Sequence, residues 1–315
     1  MSTPTASGSD GAGLRERVRE ALAAAGLSQA RAAREIGVSD SAMSQWLAAK
    51  YPGAAAAVDA KAARWLKARE ERAALARRMP EAPEWTPTAS ARRIEAGLSY
   101  AQLAGDITVI YGGAGVGKTL AARRYASQRP NVWIAAMTPA AQALGPCLER
   151  LSLACGLRPA NSRAARLEEE LRDRLEGSQG LLIIDEAQHL GTRALEGVRS
   201  LHDATGVGLA LLGNETIYSR LTGGRRAAEF AQLFSRIGKR VRLTRAAKAD
   251  VEALLAAWSV EDAATREAAL EIARQPGALR GLTKALRLAA LFAKGEPLEA
   301  RHVAAAWRDL GGGTA

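Results

Sequence analysis

The stretch from Gly112 to Thr119 is rich in glycine, ends in Lys118 and Thr119, and follows the apolar run Ile107 to Ile110. Its spacing satisfies G-x-x-x-x-G-K-[ST], in which the glycines let successive backbone N–H groups turn around phosphate oxygens. The following helix adds the positive end of its dipole to the same anion. We therefore expect a nucleotide-binding loop in which Lys118 reaches the β- and γ-phosphates and Thr119 binds Mg²⁺; a chance glycine-rich loop is the alternative. The expected ATP contacts are Gly112, Gly113, Ala114, Gly115, Val116, Gly117, Lys118, Thr119 and Leu120.

Two carboxylates, Asp185 and Glu186, follow the buried apolar run that starts at Leu181. This pattern is typical of a Walker B strand, whose aspartate holds Mg²⁺ through water and whose glutamate orients and deprotonates an attacking water. A buried strand that ends in acids is common, so its position after a phosphate loop carries the prediction. His189 is better explained as a helix-surface or supporting group than as a metal ligand.

Apolar and helical segments alternate through the region that must position these residues. The runs Asn131 to Met137 and Gly208 to Asn214 are further buried strands, and the alternation predicts an α/β fold with a three-layer parallel sheet. Asn214 resembles the sensor 1 residue of AAA+ ATPases, which contacts the γ-phosphate or the attacking water; a turn asparagine is the alternative. The helical region that follows predicts a small lid, in which Arg280 occupies the sensor 2 position.

The region before this core predicts an all-α domain. Ser28 is placed to cap a short helix that Gly37 ends, and Ser39 or Asp40 is placed to cap the next one. The arrangement resembles the helix-turn-helix of phage repressors. In that geometry the DNA-binding candidates are Ser41, Ser44, Gln45 and Lys50, with Ala42 beside them. A helical bundle that binds protein is the alternative.

Three prolines between Met79 and Pro87 predict a stiff linker. The expected order is therefore a disordered tail (1–13), the helix-turn-helix domain (14–79), the linker (80–88), the ATPase core (89–244), the helical lid (245–310) and a C-terminal tail (311–315).

Composition favours a polyanionic partner. The net charge is +11, and residues 1–78 carry 13 Lys and Arg against 8 Asp and Glu. About half of the excess thus lies outside residues 1–78, mostly in the core, so we expect both regions to touch double-stranded DNA, the core through residues that include Arg225, Arg226 and Lys239. The sequence contains no apolar run of membrane-spanning length and no signal-peptide pattern, which predicts a cytoplasmic protein. The two cysteines are expected to be buried free thiols.

Several stretches together carry a family resemblance: Gly112 to Thr119, Glu176 to Leu190, Gly208 to Asn214, Phe234 to Arg240 and Gln275 to Arg280. With the helix-turn-helix, they resemble the target-DNA activator B proteins of Mu-type transposable phages, which are AAA+ ATPases. The resemblance covers nearly the whole chain. It implies a protein that forms filaments on DNA with little sequence preference when ATP is bound, delivers that DNA to a transposase, stimulates strand transfer and leaves on hydrolysis. Gln188 departs from it, because an acidic residue is more usual there.

The AAA+ resemblance also makes Arg236 the candidate arginine finger, with Arg240 second. Arginines just before the last core strand commonly reach the γ-phosphate of a neighbouring subunit. No acidic residue of the stretch Phe230 to Arg240 would hold Arg236, which favours a shared active site; ordinary surface charge is the alternative. Two other functions stay open: a helicase-loader-like ATPase, and an ATP-responsive transcriptional regulator, which would require a preferred operator.

Overall fold

The computed structural model describes residues 8–78, 83–159, 163–222 and 235–313. The chain divides into two compact units, Met1–Pro80 and Glu81–Ala315. The division falls at the start of the stretch that the prolines mark as a linker.

The first unit is helical, as its periodicity predicts. Its helices are α1 (Gly8–Ala24), α2 (Gln29–Ile36), α3 (Asp40–Leu47) and α4 (Ala55–Arg78). Helix α1 begins at Gly8, inside the stretch that we expected to be a tail up to residue 13. Once the packed part of a helix exists, each added residue gains a hydrogen bond, and this outweighs the poor helix propensity of the glycines.

The turn between α2 and α3 follows from its capping residues. Ser28 Oγ accepts the N–H of Arg31 at 3.3 Å, and Ser39 Oγ accepts the N–H of Ala42 at 3.2 Å. Gly37 ends α2 with a φ of +77°, a conformation that a glycine adopts without strain. Trp46, on the inner face of α3, is 1% exposed and donates its indole N–H to Asp59 Oδ1 at 2.7 Å. The caps and this buried tryptophan fix the angle at which α3 leaves the turn.

The second unit is built on a five-stranded sheet whose adjacent strands all pair in parallel, in the order β2-β3-β4-β1-β5. The strands are β1 (Ile107–Gly112), β2 (Val132–Ala136), β3 (Leu181–Asp185), β4 (Gly208–Gly213) and β5 (Ile237–Leu243). The predicted α/β fold is confirmed. Strand β5 pairs with β1 along its whole length, from Ile237 to Leu243, with a register shift near its start.

Helices cover both faces of this sheet. They are α5 (Ala89–Ala104), α6 (Lys118–Ser127), α7 (Leu144–Ala154), α8 (Ala164–Leu175), α9 (Thr192–Thr205) and α10 (Glu215–Thr222), with short 3-10 turns at Pro139–Ala141 and Ala187–His189. Alternate strand residues enter two separate apolar clusters: Leu182 and Ile184 pack on one side, and Leu181 and Ile183 on the other. This two-residue alternation makes the three layers, because successive side chains of a strand point to opposite faces.

Four further helices form the lid: α11 (Lys248–Ala257), α12 (Ala263–Arg274), α13 (Ala278–Ala293) and α14 (Ala300–Asp309). They share an apolar core of their own, centred on Leu255, Leu282 and Leu286, each of which is fully buried. Among the helices that the structure describes, none is long and apolar enough to cross a membrane.

Candidate functional site

The glycine-rich loop between β1 and α6 needs its glycines for close contacts as well as for phosphate. Gly112 has a φ of +137°, and a Cβ there would lie 2.0 Å from the carbonyl oxygen of Leu243 in β5. Gly115 has a φ of +79°, and its Cβ would lie 1.9 Å from the carbonyl oxygen of Gly277 in the lid. The motif glycines therefore let both the last strand and the lid approach the loop.

Helix α6 presents its N-terminus as an anion site. Gly117, its N-cap residue, has a φ of +95° and supplies no capping side chain. The first intrahelical bond runs from the N–H of Ala121 to the oxygen of Gly117 at 2.9 Å. The N–H groups of Lys118, Thr119 and Leu120 precede that bond, so they are the donors that a phosphate would meet.

Lys118 lies folded onto its own loop. Its Nζ donates to the carbonyl oxygens of Gly112 at 3.0 Å and Gly113 at 2.7 Å. Burial lowers the pKa of Lys118, and Arg280 lowers it further, while Glu186 and Asp185 oppose the shift. An anion in the loop would favour the charged ammonium, so phosphate binding relieves the cost of burying this lysine.

Thr119 and Asp185 bring hydroxyl and carboxylate oxygens together. Thr119 Oγ1 donates to Asp185 Oδ2 at 2.8 Å, and Asp185 Oδ1 accepts the N–H of Glu186 at 3.0 Å. Hard oxygen donors of this kind suit Mg²⁺, which takes few protein ligands when substrate phosphates supply the rest. The two residues thus fit the predicted metal role, although this role stays a prediction.

Gln188 connects the candidate catalytic glutamate to the neighbouring strand. Its Nε2 donates to Glu186 Oε2, and its Oε1 accepts the N–H of Asn214 at 3.3 Å. Glu186 itself has a φ of +56°, an uncommon left-handed conformation for a residue other than glycine. The glutamine that departs from the family pattern therefore orients both Glu186 and the end of β4.

Asn214 performs the turn role that we considered as its alternative. Its Oδ1 accepts the N–H of Thr216 at 2.9 Å and so caps the start of α10. Asn214 also lines the cavity beside the glycine-rich loop, and the other end of its amide, Nδ2, is a hydrogen-bond donor. The turn and sensor roles are compatible, because they use opposite ends of one amide.

These groups surround a cavity of about 580 Å³ between the loop, the lid and the segment that precedes α5. Among the residues that line it are Lys118 and Thr119 of the glycine-rich loop, which is the Walker A motif, and Glu186 of the Walker B motif, with Asn214 and Arg280. The cavity wall carries five cationic side chains (Lys118, Arg123, Arg280, Lys284 and Arg287) against two carboxylates (Glu84 and Glu186). A polyanionic ligand is therefore favoured, and the volume suits a small molecule.

Sequence reasoning missed the aromatic wall of this cavity. Trp85, Leu254 and Trp258 line it, and the Arg124 guanidinium lies 4.9 Å from the centre of the Trp85 ring. Trp85 belongs to the proline-rich stretch that we expected to be a linker, so part of that stretch belongs to the nucleotide unit. The signal was a tryptophan among prolines, a residue type that a solvated linker rarely needs.

The lid contributes one face of α13 to the cavity. The backbone N–H of Arg280 donates to the oxygen of Gly115 at 3.2 Å, and Arg280 lines the cavity; its sensor 2 role stays a prediction. Lys284 and Arg287 follow at helical spacing and line the same cavity. The sequence reasoning identified the first of these three cations and missed the other two.

Arg236 is held by an acid, which contradicts the premise on which we expected a shared site. Its Nε donates to Asp203 Oδ1 at 2.6 Å, and Asp203 also pairs with Arg199 in α9. The acid lies far from Arg236 in sequence, so the local stretch gave no sign of it. Arg236 and Arg240 are both exposed and do not line the cavity, and their role as an arginine finger stays a prediction.

The predicted DNA contacts fall in three places. Ser41, Ser44, Gln45 and Lys50 are all exposed, and Ala42 beside them is partly buried. Lys239 in β5 is half-buried; its Nζ donates to the oxygen of Ala96 at 3.3 Å and lies 5.4 Å from the centre of the Tyr100 ring. Arg225 and Arg226 lie outside the described residues.

The two cysteines are free and buried, as predicted. Burial raises the pKa of the Cys147 thiol to about 12 and that of Cys155 to about 11, the latter against an opposing effect of Arg174. Thiols with such pKa values are inert at neutral pH.

Solved structures share the fold of about three quarters of this chain at low sequence identity. A Walker-type ATPase of Pyrococcus abyssi matches with a TM-score of 0.51 at 16% identity, covering 71% of each chain. A chain of the structure of Drosophila ORC bound to DNA matches with a TM-score of 0.50 at 16% identity, covering 74% of this chain and 63% of that one. These matches bear on the fold alone.

Sequence comparisons are more specific. The family described as "AAA domain" matches residues 103–221, and that described as "Mu B transposition protein, C terminal" matches residues 235–310. The "ATP-dependent target DNA activator B" of Escherichia phage Mu is 42% identical over 280 residues, 88% of each chain. The "Mu-like prophage FluMu DNA transposition protein B" of Haemophilus influenzae is 37% identical, covering 86% of this chain and 94% of the relative. With an AAA domain and both Walker motifs around one cavity, the chain is an ATPase, and it belongs to the phage Mu transposition protein B family.

Proposed function

We propose that the chain is an ATP-dependent transposition protein that assembles on target DNA when ATP is bound, delivers that DNA to a transposase and stimulates strand transfer, with hydrolysis driving its release. The observation that carries the proposal is the convergence of Lys118, Thr119 and Glu186 at one cationic cavity, with Asp185 hydrogen-bonded to Thr119, in a member of this family.

The roles of the residues follow from their chemistry. The N–H groups at the start of α6 and the ammonium of Lys118 bind the β- and γ-phosphates. Thr119 and Asp185 hold Mg²⁺, which when bound neutralises phosphate charge. Glu186 orients the attacking water and takes its proton, and Asn214 and Arg280 meet the γ-phosphate from β4 and from the lid.

Two substitutions separate binding from hydrolysis. Lys118→Ala removes a charged phosphate donor and should abolish ATP-dependent DNA binding. Glu186→Gln keeps the shape of the side chain but cannot accept the proton, so the protein should bind ATP, remain on DNA and hydrolyse about a hundredfold or more slowly. ATP turnover and DNA co-sedimentation measure the two properties.

Glu84→Gln is the matched control, because Glu84 is the other carboxylate on the cavity wall and has no catalytic role in this assignment. It should hydrolyse ATP at close to the parent rate. A Glu186→Gln protein that also hydrolyses at the parent rate would show that Glu186 is not the base.

DNA is held, in this proposal, by phosphate neutralisation repeated in every subunit of a filament. The support is the net charge of +11, shared between the two units, and the exposed polar face of α3. Phosphate contacts carry no base information, so binding should depend steeply on salt and slightly on sequence. A footprint that is uniform over random DNA would exclude a transcriptional regulator, which needs an operator. The bacterial host cytoplasm, where such DNA lies, is the proposed location.

A truncated chain tests whether the ATPase unit binds DNA by itself. It should begin at Glu81 rather than near Pro87, because Trp85 lines the nucleotide cavity. We expect ATP-dependent filaments on DNA with lower affinity, seen by electron microscopy across a salt titration. Normal assembly that ignores DNA at low salt would show that the helix-turn-helix alone holds DNA.

A further inference from the structure

Asp250 is a buried carboxylate that joins two helices far apart in sequence. It is 0% exposed and lies in the first turn of α11 in the lid. Its Oδ1 accepts the backbone N–H of Ser90 at 2.7 Å and its Oδ2 accepts the Ser90 hydroxyl at 2.6 Å, across 160 residues of sequence. The same Oδ2 accepts the N–H of Ala247 at 2.9 Å. One carboxylate thus serves the N-termini of both α5 and α11, where negative charge is favoured.

Residues of both joined helices line the nucleotide cavity. Thr88 and Ala91 flank Ser90 at the start of α5 and line the cavity on the core side. Leu254 and Trp258 follow Asp250 at helical spacing and line it on the lid side. The distance between the walls therefore depends on the bond between Ser90 and Asp250.

A second connection holds the lid at the phosphate end. The N–H of Arg280 donates to the oxygen of Gly115 at 3.2 Å, inside the glycine-rich loop itself. This bond holds the lid at the glycine-rich loop, whereas the bonds between Asp250 and Ser90 hold it at the α11 end of the cavity. Two attachment points fix the distance between the lid and the core along the whole cavity. With one attachment point, the lid could rotate about it and this distance would vary.

We infer that Asp250 is a positioning residue for ATP binding: with Ser90, it sets the separation of the cavity walls and so tunes nucleotide affinity without taking part in hydrolysis. The inference rests on the proposed assignment of this cavity to ATP. Asp250 does not line the cavity, and its hydrogen bonds go to Ser90 and Ala247, whereas the candidate catalytic groups Glu186 and Asn214 directly follow β3 and β4.

The test is Asp250→Asn, which keeps the volume but cannot accept all three hydrogen bonds. We expect the Kd of a fluorescent ribose-labelled ATP analogue and the KM for ATP to rise about tenfold, as the loss of a charged hydrogen bond implies. The kcat at saturating ATP should stay within about twofold, because the hydrolytic groups keep their supports.

The lid supplies a matched control in Asp262→Asn. Asp262 also accepts a backbone N–H and a hydroxyl, both from Thr265, at 2.8 and 2.6 Å, but both partners belong to its own helix α12. The Asp262→Asn variant should have a lower melting temperature, and its Kd should change by no more than about twofold. An equal rise in Kd for both variants would show that Asp250 affects binding only by stabilising the lid, and it would overturn the inference.

Ser90→Ala covers the case in which Asp250→Asn does not fold, since it removes one donor and keeps the backbone bond. Its Kd should rise about threefold, and the double variant should bind no more weakly than Asp250→Asn alone. An unchanged Kd in Ser90→Ala, or full additivity, would contradict the inference. Lys118→Ala is measured in parallel: if it binds the analogue as the parent does, the cavity is not the ATP site and the proposed function itself fails.

Discussion

The contact between Arg236 and Asp203 makes the arginine-finger hypothesis testable. The guanidinium donates to Asp203 Oδ1 at 2.6 Å, so an arginine that reaches a neighbouring subunit must first leave this carboxylate. Asp203→Asn weakens that hold and keeps the side-chain volume. The side chains of the pair are 41% and 29% exposed, which makes this a partly solvated ion pair.

Such pairs contribute about 0–1 kcal/mol, which corresponds to at most about a fivefold shift in the population of released arginine. If Arg236 is the finger, Asp203→Asn should therefore raise ATP hydrolysis in the presence of DNA by up to about fivefold at protein concentrations that limit assembly. Arg236→Ala should lower hydrolysis by about a thousandfold or more, the usual contribution of an arginine finger.

The assay is phosphate release over a range of protein concentrations with DNA present. Glu196→Gln is the control, because Glu196 is a second carboxylate partner of Arg199 in the same cluster. Mixing Arg236→Ala with Lys118→Ala protein should restore part of the hydrolysis, since hybrid interfaces then pair an intact loop with an intact finger.

Two results would refute the reasoning. Arg236→Ala protein that turns ATP over at the parent rate would remove the finger. A stimulation by Asp203→Asn that persists in the Arg236→Ala background would show that Asp203 acts through another residue, such as Arg199.

Three further predictions concern Gln188, Gly115 and the two cysteines. Gln188→Ala should lower kcat about five- to thirtyfold with little change in KM, because Glu186 and Asn214 lose a shared support; steady-state kinetics would refute this with an unchanged kcat. Gly115→Ala should weaken ATP binding and lower the melting temperature by a few degrees, because its Cβ would meet the oxygen of Gly277, and equal melting curves would contradict it. Both cysteines should resist alkylation at pH 8 in the folded chain, as mass spectrometry would show. Burial raises their pKa values from 9.0 to about 12 for Cys147 and about 11 for Cys155, so above about pH 9 the unfolded chain loses these protons and the folded chain keeps them. The free energy of unfolding should therefore fall as the pH rises above about 9, which a urea titration measures.

The parts that the sequence predicts correctly are set by neighbouring residues. Ser28 and Gly37 bound a short helix through hydrogen bonds and a backbone conformation that involve a few adjacent positions. The glycine-rich loop and the strand that ends in Asp185 are likewise local patterns, and the parallel sheet brings their carboxyl ends to one edge. Local chemistry and sheet topology together were enough to assemble Lys118 with Glu186.

The parts that sequence reasoning missed depend on contacts between distant segments. Asp203 meets Arg236 across 33 residues, and Asp250 meets Ser90 across 160 residues. A carboxylate at either position has the same sequence signature as a solvated surface acid, so its partner emerges only when the helices pack. The role of Trp85 was missed for a similar reason, because the prolines around it predict a linker whether or not the tryptophan lines a cavity.

Gly115 shows that a residue of a binding motif can also be required for a structural reason outside the motif. Phosphate binding alone requires a turning backbone there, which its φ of +79° satisfies. The approach of Gly277 adds a second requirement, because any side chain would displace the lid from the loop. With Asp250 at the other end of the cavity, the lid is positioned by one residue that must have no side chain and one that must have a carboxylate. We therefore expect nucleotide affinity in this chain to depend on the attachment of the lid as well as on the groups that touch phosphate.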